Sequence, residues 1–418
     1  MLFYTVSQKE QESLSYMVSL LKSDFGVTVN KQSMNERFNE NCETYVKAVL
    51  KEVWSEKLAN IYDTSFLSGF SRILIKDSTK FMVPPSLEHR FRNSGGNCGG
   101  DRHSRSNAGV SIQYEYDLKS GKINDLNVTT AVRTDQKDAG ETASNVEKGD
   151  LIIRDLGYFS TPVLKSFIES GAFFLSKLNS GTNVYDAEND LVSFKNIYAT
   201  FKKKGFGTKE MSVFIGRKTK VPVRMILQLV PDEVYDKRIR EKTRTNRDNG
   251  LSGNLAEETK IRCRFNLFIT NAEKAQLAAE QAFPLYKLRW QIELQFKIWK
   301  SVFKINDYRK IKEHRYTTFL YVKLILIIVN LQISYGVQLS VALSQKDRFK
   351  VISLNKSMKT LKNLFREVFV MLRGNHRKAK DATLYIRSRL AENHWLECKN
   401  KKLCFPEILH LFICYSDK

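Results

Sequence analysis

YKLRWQIELQFKIWK, from Tyr286 to Lys300, reads as a single helix. At about 100° per residue, Tyr286, Arg289, Glu293 and Lys300 fall within an arc of roughly 60°. Leu285, Leu288, Ile292, Phe296, Trp299 and Phe303 take the adjoining arc and form a stripe suited to a core. One carboxylate flanked on its own face by two cations and a phenol hydroxyl suits a site holding a metal ion and a phosphodiester together. The acid takes the cation, and the basic groups and hydroxyl take phosphate oxygens. An amphipathic helix with ordinary surface ion pairs gives the same wheel, so residue order and the rest of the chain must decide.

The order is Tyr, two residues, Arg, three residues, Glu, six residues, Lys, with LFITNA ahead of it. It resembles the C-terminal catalytic block of the DDE transposases of bacterial insertion sequences, in the group named after insertion sequence 4. Two upstream blocks should then each place an Asp at a strand end. RILIKDST ends a strand at Asp77, and DLIIRDLGYFS ends one at Asp155. Three blocks in this order extend the resemblance over residues 60 to 330.

The resemblance implies a ribonuclease H-like mixed-sheet α/β core, interrupted by an insertion, in which the first and fourth strands lie side by side. It makes Asp77, Asp155 and Glu293 the catalytic and metal-holding triad, with Asp77 shared between two ions and the other acids holding one each. Tyr286, Arg289 and Lys300 become DNA-binding residues. Oxygen-only ligands select Mg²⁺, with Mn²⁺ able to substitute. Two such ions lower the pKa of an attacking water or 3′ hydroxyl and stabilise the departing oxygen. The implied partners are double-stranded DNA, as terminal inverted repeats and target, and a second protomer in the synaptic complex. Cut-and-paste excision through a hairpin intermediate is the route of the best-understood members; replicative and hairpin-free routes share the triad and stay open. A structure-specific nuclease on the same fold and a catalytically inactive DNA-binding regulator are the other readings. The presence of all three acids and the whole Tyr-Arg-Glu-Lys set speaks against decay.

Composition agrees. Sixty-eight Lys and Arg against 45 Asp and Glu give a net charge of +23, which points to a polyanionic partner. The excess is concentrated: residues 300–380 carry 18 Lys or Arg and 4 Asp or Glu. Cys42, Cys98, Cys263, Cys398, Cys404 and Cys414 form no CxxC pair and the histidines do not cluster beside them, so neither zinc nor a disulfide framework is expected. MLFYTVSQKEQES lacks the pattern of a signal peptide. The apolar run Phe319 to Ile333, interrupted by Lys323, Asn330 and Gln332, reads as a buried helix rather than a membrane span. A reducing bacterial cytoplasm, with the protein on the nucleoid, is the expected setting.

Along the chain, residues 1–65 read as a helical region with a possible DNA-binding face, opened by S-x-x-E boxes at Ser7–Glu10 and Ser33–Glu36 and continuing to about Tyr62. Residues 66–178 are the first part of the core: the strand to Asp77, a loop with Gly95, Gly96, Gly99 and Gly100 among Arg90, Arg92, Arg102 and Arg105, a hairpin around Ser120-Gly121, a polar helical segment, the strand to Asp155, a helix stopped at Gly171, and the strand AFFLSKL. Residues 179–262 read as a β-rich insertion, with VSFKNIYATF, MSVFIG and VPVRMILQLV as strands and DKRIREKTRTNRDNG as a basic arm or turn suited to DNA backbone contact. Residues 263–335 complete the core with the Glu293 helix. Residues 336–418 form a basic helical region for DNA contact and dimerisation, exemplified by SMKTLKNLFREVFVMLR with Lys359, Lys362, Arg366 and Arg373. Asp150 opens its strand and is expected at the opposite sheet edge, where substitution is mild; Asp63 and Asp117 lack a matching block.

Overall fold

A computed structural model of the chain describes residues 13–55, 68–93, 106–344 and 352–394. The Ser7–Glu10 box, the helix beyond 55 and the glycine loop with Arg102 and Arg105 lie outside the described residues.

Ser13 caps α1 (Leu14–Phe25) by accepting the Tyr16 N–H, and Gly26, at φ 66°, ends it. α2 (Lys31–Glu36) is capped by Asn30, whose Oδ1 accepts the Ser33 N–H at 2.7 Å. The box expected at Ser33–Glu36 is therefore not used: Asn30 captures the orphan amide and draws Ser33 inside the helix. α3 (Glu40–Ser55) follows. β1 (Ile73–Met82) does not stop at Asp77. The polar run after Ile75 conceals a continuing period of two, in which Thr79 and Phe81 are buried. β2 (Gly109–Asp117) and β3 (Ile123–Thr130) form the expected hairpin, its turn held by the Asp117 carboxylate, which accepts the Lys119 and Ser120 N–H groups at 3.0 Å.

Next come α4 (Asp135–Glu141), β4 (Leu151–Arg154), α5 (Thr161–Glu169), β5 (Phe173–Lys177) and the short β6 (Val184–Tyr185). VSFKNIYATF is a helix, α6 (Phe194–Lys204), not a strand. Its aromatic content suggested β structure, but Phe194, Ile197 and Phe201 repeat at helical spacing and are the residues it buries. β7 (Thr208–Ile215) and β8 (Val221–Leu229) are strands as expected. The basic segment after them is also helical: α7 (Asp232–Asp248) buries no residue and carries the i,i+4 pairs Lys237–Glu241 and Arg244–Asp248 at 3.8 and 3.9 Å. It has no apolar period to announce it; charge pairing and two acids at its positive N-terminal end support it. The chain closes with α8 (Glu257–Cys263), β9 (Phe265–Thr270), α9 (Ala279–Lys287), α10 (Trp290–Ser301), α11 (Glu313–Ser344), α12 (Leu354–Asn363), α13 (Phe365–Arg373) and α14 (His376–Asn393).

The chain divides into two compact units, and β1 crosses from one to the other between Lys76 and Asp77. The β4 unit comprises residues 68–76 and 134–290 among those described. Its strands follow the order β1-β4-β5-β9-β8-β7-β6, with β1, β4 and β5 parallel and the rest antiparallel. β7 and β8 continue this sheet through the pairing of β8 with β9, and with α6, α7 and α8 they make residues 179–262 a mixture of helix and strand. Leu164 and Phe167 of α5 and Phe194 and Phe201 of α6 share one apolar core with Ile152, Met225 and Ile269 of the strands.

Two buried charge contacts fix the start of this unit. Lys76, the last β1 residue paired with β4, is wholly inaccessible and lies 2.6 Å from the equally inaccessible Asp138 of α4. Asp150, at the opposite end of β4 as expected, is also fully buried, and receives Arg72 Nε and Nη2 at 2.8 and 2.6 Å. It holds a structural ion pair, so its replacement is not mild for folding.

The hairpin unit holds the described residues of 13–55, 77–133 and 291–394. Its strands follow β3-β2-β1, and β2 is buried along its whole length. Tyr114 of β2 meets Phe296 and Trp299 of α10 at centroid distances of 6.3 and 5.1 Å, which seats α10 on the hairpin. α3 packs along α11, and Phe38, just ahead of α3, meets Phe319 of α11 edge to face at 5.4 Å. Part of α11, Glu313–Gln338, has the length and composition of a membrane span, yet 72% of its apolar window is buried, as in a core helix. SMKTLKNLFREVFVMLR is two helices, because the ladder breaks at Leu364, and Lys362 Nζ is taken by the Val302 carbonyl at 2.8 Å.

A polar cluster missed in the sequence joins α3, the segment after β1 and the start of α11. Arg90 binds both Glu43 and Glu313, His89 Nε2 lies 2.5 Å from Glu313, and His314 Nδ1 lies 3.0 Å from Glu43. The His89 hydrogen bond, followed by Arg90, holds the Glu313 carboxyl below its ordinary 4.5.

Two outcomes follow. Asp138→Ala strands the Lys76 ammonium in the interior and lowers stability by about 3–5 kcal/mol in denaturant titrations, whereas the apolar pair Lys76→Met with Asp138→Leu recovers most of the loss. Glu313, with its depressed carboxyl, contributes stability that is present above its unfolded pKa and is lost as pH falls through the folded value. Glu313→Gln therefore flattens the decline of melting temperature on acidification below the ordinary Glu pKa.

Candidate active site

β1 and β4 pair in parallel with Lys76 opposite Arg154, and on each chain the next residue is an acid: Asp77 and Asp155. Each is partly exposed. The Asp77 carboxylate accepts the Ser78 N–H at 2.8 Å. Asp155 occupies the N-cap position of the 3₁₀ turn Leu156–Tyr158, but its side chain makes no capping bond, so capping does not account for it.

The 286–300 segment is not one helix. Leu288 N–H bonds Leu285 O and Arg289 N–H bonds Tyr286 O, both i to i−3, and these two tight turns separate α9 from α10. A 3₁₀ step rotates the chain about 120° per residue instead of 100°, so the single wheel joining Tyr286 and Arg289 to Glu293 and Lys300 does not apply. The apolar stripe survives the break: Leu285, Leu288, Ile292, Phe296, Trp299 and Phe303 are all buried.

The two halves carry different contacts. In the β4 unit, the Tyr286 hydroxyl donates toward Arg154 O at 3.4 Å and Asp155 Oδ1 at 3.5 Å, and Arg289 Nε lies 3.8 Å from the same Oδ1. Burial, and then the Asp155 carboxylate, push the Tyr286 phenol well above its ordinary range, so it remains a protonated donor. With 5% exposure, Tyr286 is an interior residue whose hydroxyl faces the acid. The Arg289 guanidinium lies 5.9 Å from the Tyr286 ring centroid, and Lys177 Nζ lies 5.2 Å from it. Lys177 was not singled out in the sequence. The available signal was positional: it stands as far beyond Leu175 on β5 as Asp155 stands beyond the paired Ile153 on β4.

In the hairpin unit, Glu293 sits in the first turn of α10, partly exposed, beside the buried Ile292. Lys300, in the last turn, donates from Nζ to Lys80 O at 2.8 Å and lies 5.9 Å from the Phe81 ring, which ties α10 to β1. These contacts group Tyr286 and Arg289 with Asp155, and Lys300 with β1 beyond Asp77.

Among the described residues, no three His, Cys, Asp or Glu side chains form a group placed to hold a metal ion. The donor chemistry of the acids nevertheless fits a hard divalent cation. All three offer carboxylate oxygens only, and the Asp155 side chain is 46% exposed.

A family profile described as the transposase DDE domain matches residues 68–331. The chain is 32% identical to the transposase for insertion sequence element IS231F of Bacillus thuringiensis subsp. israelensis, over 77% of this chain and 69% of that protein. It is 27% identical to the transposase for IS231D of Bacillus thuringiensis subsp. finitimus, over 90% of this chain and 83% of the relative. Identity to the transposase for IS1151 of Clostridium perfringens is 28%, over 76% and 69%.

Tyr286→Phe removes one long hydrogen bond and leaves the ring in place, so it costs about 0.5–1 kcal/mol in chemical denaturation. Arg289→Lys retains the charge beside Asp155 but loses the planar fork, and its melting temperature falls less than that of Arg289→Ala.

Proposed function

The chain belongs to the family of DDE transposases, enzymes that act on DNA, and from that premise we propose that it binds the terminal inverted repeats of its own insertion sequence, cuts at those ends and joins them to target DNA. The observation that carries the reading is the placement of Asp77 and Asp155 immediately after Lys76 and Arg154, the last paired residues of two parallel strands. The equal offset of the two acids from one shared register is what makes them candidates for a common centre.

Asp77, Asp155 and Glu293 would hold two divalent cations, Mg²⁺ or Mn²⁺, with Asp77 shared. Such ions supply Lewis acidity when bound, easing deprotonation of the attacking oxygen and steadying the leaving one. The chain's own groups do the remaining work. Tyr286 and Arg289 orient Asp155 from behind, one through a neutral hydroxyl and the other through charge. Arg289 and Lys300 are the cations on this stretch for the DNA strand undergoing cleavage, Arg289 as a planar fork and Lys300 as a point charge.

Two protomers pairing in a synaptic complex is part of the same reading. Its support is the exposure of the apolar residues Phe369 and Leu372 on α13 and Leu384 and Tyr385 on α14. Excision is by cut-and-paste, and the first product formed on end DNA, nicked or hairpinned, distinguishes the routes.

Incubation with a duplex carrying the element's own end and Mg²⁺ yields end-specific nicks and attack by the new 3′ hydroxyl. Asp77→Ala, Asp155→Ala and Glu293→Ala each abolish cleavage while end binding stays near wild type, since Lys and Arg contacts with phosphates carry most of the affinity. A fully active Asp155→Ala protein overturns the assignment.

A further inference from the structure

Lys177 is the residue beside Asp155 that the family signature leaves without a role. β4 and β5 run parallel with Leu151 opposite Phe173, Ile152 opposite Phe174 and Ile153 opposite Leu175. Two residues on, one chain reaches Asp155 and the other reaches Lys177, the last residue of β5. Both therefore leave the sheet at the same edge, one strand spacing of about 4.8 Å apart. Lys177 is exposed, whereas Ser176 and Leu178 on either side of it are buried.

One aromatic ring connects the two positions. Lys177 Nζ lies 5.2 Å from the Tyr286 ring centroid, and the hydroxyl of that ring lies 3.5 Å from Asp155 Oδ1. The ring is fixed by burial, with the Lys177 ammonium over it and its hydroxyl toward the acid. Arg289 is already the cation beside Asp155, at 3.8 Å. Lys177 adds a second cation at this edge of the β4 unit. A compact ammonium on an exposed residue satisfies one anionic oxygen at a time.

We propose that Lys177 is a DNA-binding residue that contacts a backbone phosphate next to the one addressed at Asp155. The inference rests on the reading of Asp155 as an active-site acid. It adds a contact on β5, outside the helical segment that carries Tyr286, Arg289 and Lys300. The competing role is packing alone, in which the ammonium serves only the Tyr286 ring.

Lys177→Met keeps the stem and removes the charge; Lys177→Arg keeps the charge; Lys177→Gln is a second neutral variant should the Met protein fold poorly. The full chain is titrated with a duplex carrying its own element end at several salt concentrations, and melting temperatures are measured in parallel. Loss of one phosphate contact lowers the slope of log affinity against log salt by about 0.9, so the wild-type advantage shrinks about threefold between 50 and 200 mM salt. The expected result is this loss in the Met and Gln proteins and a retained slope in the Arg protein, with single-turnover cleavage slowed in the neutral variants. An unchanged slope and cleavage rate in the Met and Gln proteins, with or without a lower melting temperature, overturns the proposal and leaves packing as the role. Asp155→Ala in the same series separates the two failures. If that variant cleaves normally, the active-site reading falls whatever Lys177 does; if it is inactive and the neutral Lys177 proteins match wild type, only the Lys177 contact falls.

Discussion

The buried pair of Lys76 and Asp138 is the constraint on which the candidate site depends. Neither side chain touches solvent, and their charged atoms are 2.6 Å apart. An isolated ammonium or carboxylate in an apolar interior carries a desolvation cost of several kcal/mol, which the pairing of the two offsets. Thr142 completes the contact: its hydroxyl accepts from Lys76 Nζ at 3.3 Å and donates to Asp138 O at 2.8 Å. The pair locks α4 onto β1 at the last residue that β1 shares with β4. The next residue is Asp77. A candidate acid is thereby attached to a strand whose last position paired with β4 cannot slip without separating two buried charges.

Asp155 is held by a different device. Its strand is short, four residues, and its carboxylate is half exposed. Positioning comes from Tyr286 and Arg289, which approach the same carboxylate oxygen from the end of α9 and the tight turns after it. A neutral donor and a cation act together here. The hydroxyl directs the carboxylate without adding charge, and the guanidinium balances it. The two tight turns allow this arrangement. Tyr286 and Arg289, the first half of the signature, contact an acid of the β4 unit, and its second half lies on α10 of the hairpin unit.

Glu293 and Lys300 depend on packing rather than pairing. Phe296 and Trp299 lie against Tyr114 of a strand buried on both faces, and Lys300 reaches the β1 backbone at Lys80. The helix that carries Glu293 is thus anchored at its apolar face and at its C-terminal turn. The two anchors hold the apolar face of the helix against the core and leave Glu293 partly exposed.

Much of this was legible in the residues. Strands read from short apolar runs, the hairpin around Gly121, the helix stop at Gly171 and the apolar stripe from Leu285 to Phe303 follow from periodicity and turn chemistry, which are local. The spacing of Tyr, Arg, Glu and Lys sufficed to identify the family. Readings failed where the deciding interaction was distant or the local signal ambiguous. α6 has strand-like composition but buries Phe194, Ile197 and Phe201 against β strands, and α7 has charge pairs in place of an apolar face. β1 continues past Asp77 because Thr79 and Phe81 carry its period of two into the core and β2 lies beside it in the sheet. Asp150 stands at the sheet edge expected of it, but its partner Arg72, 78 residues away in sequence, has no local signal. The sequence by itself determined the family, the candidate acids and the core-facing stripe, because these rest on residue identity and short-range period. Only the tertiary structure decided which side chains share a partner, because strand register, buried charge pairs and the two-turn break before α10 arise from contacts between segments that local patterns do not encode.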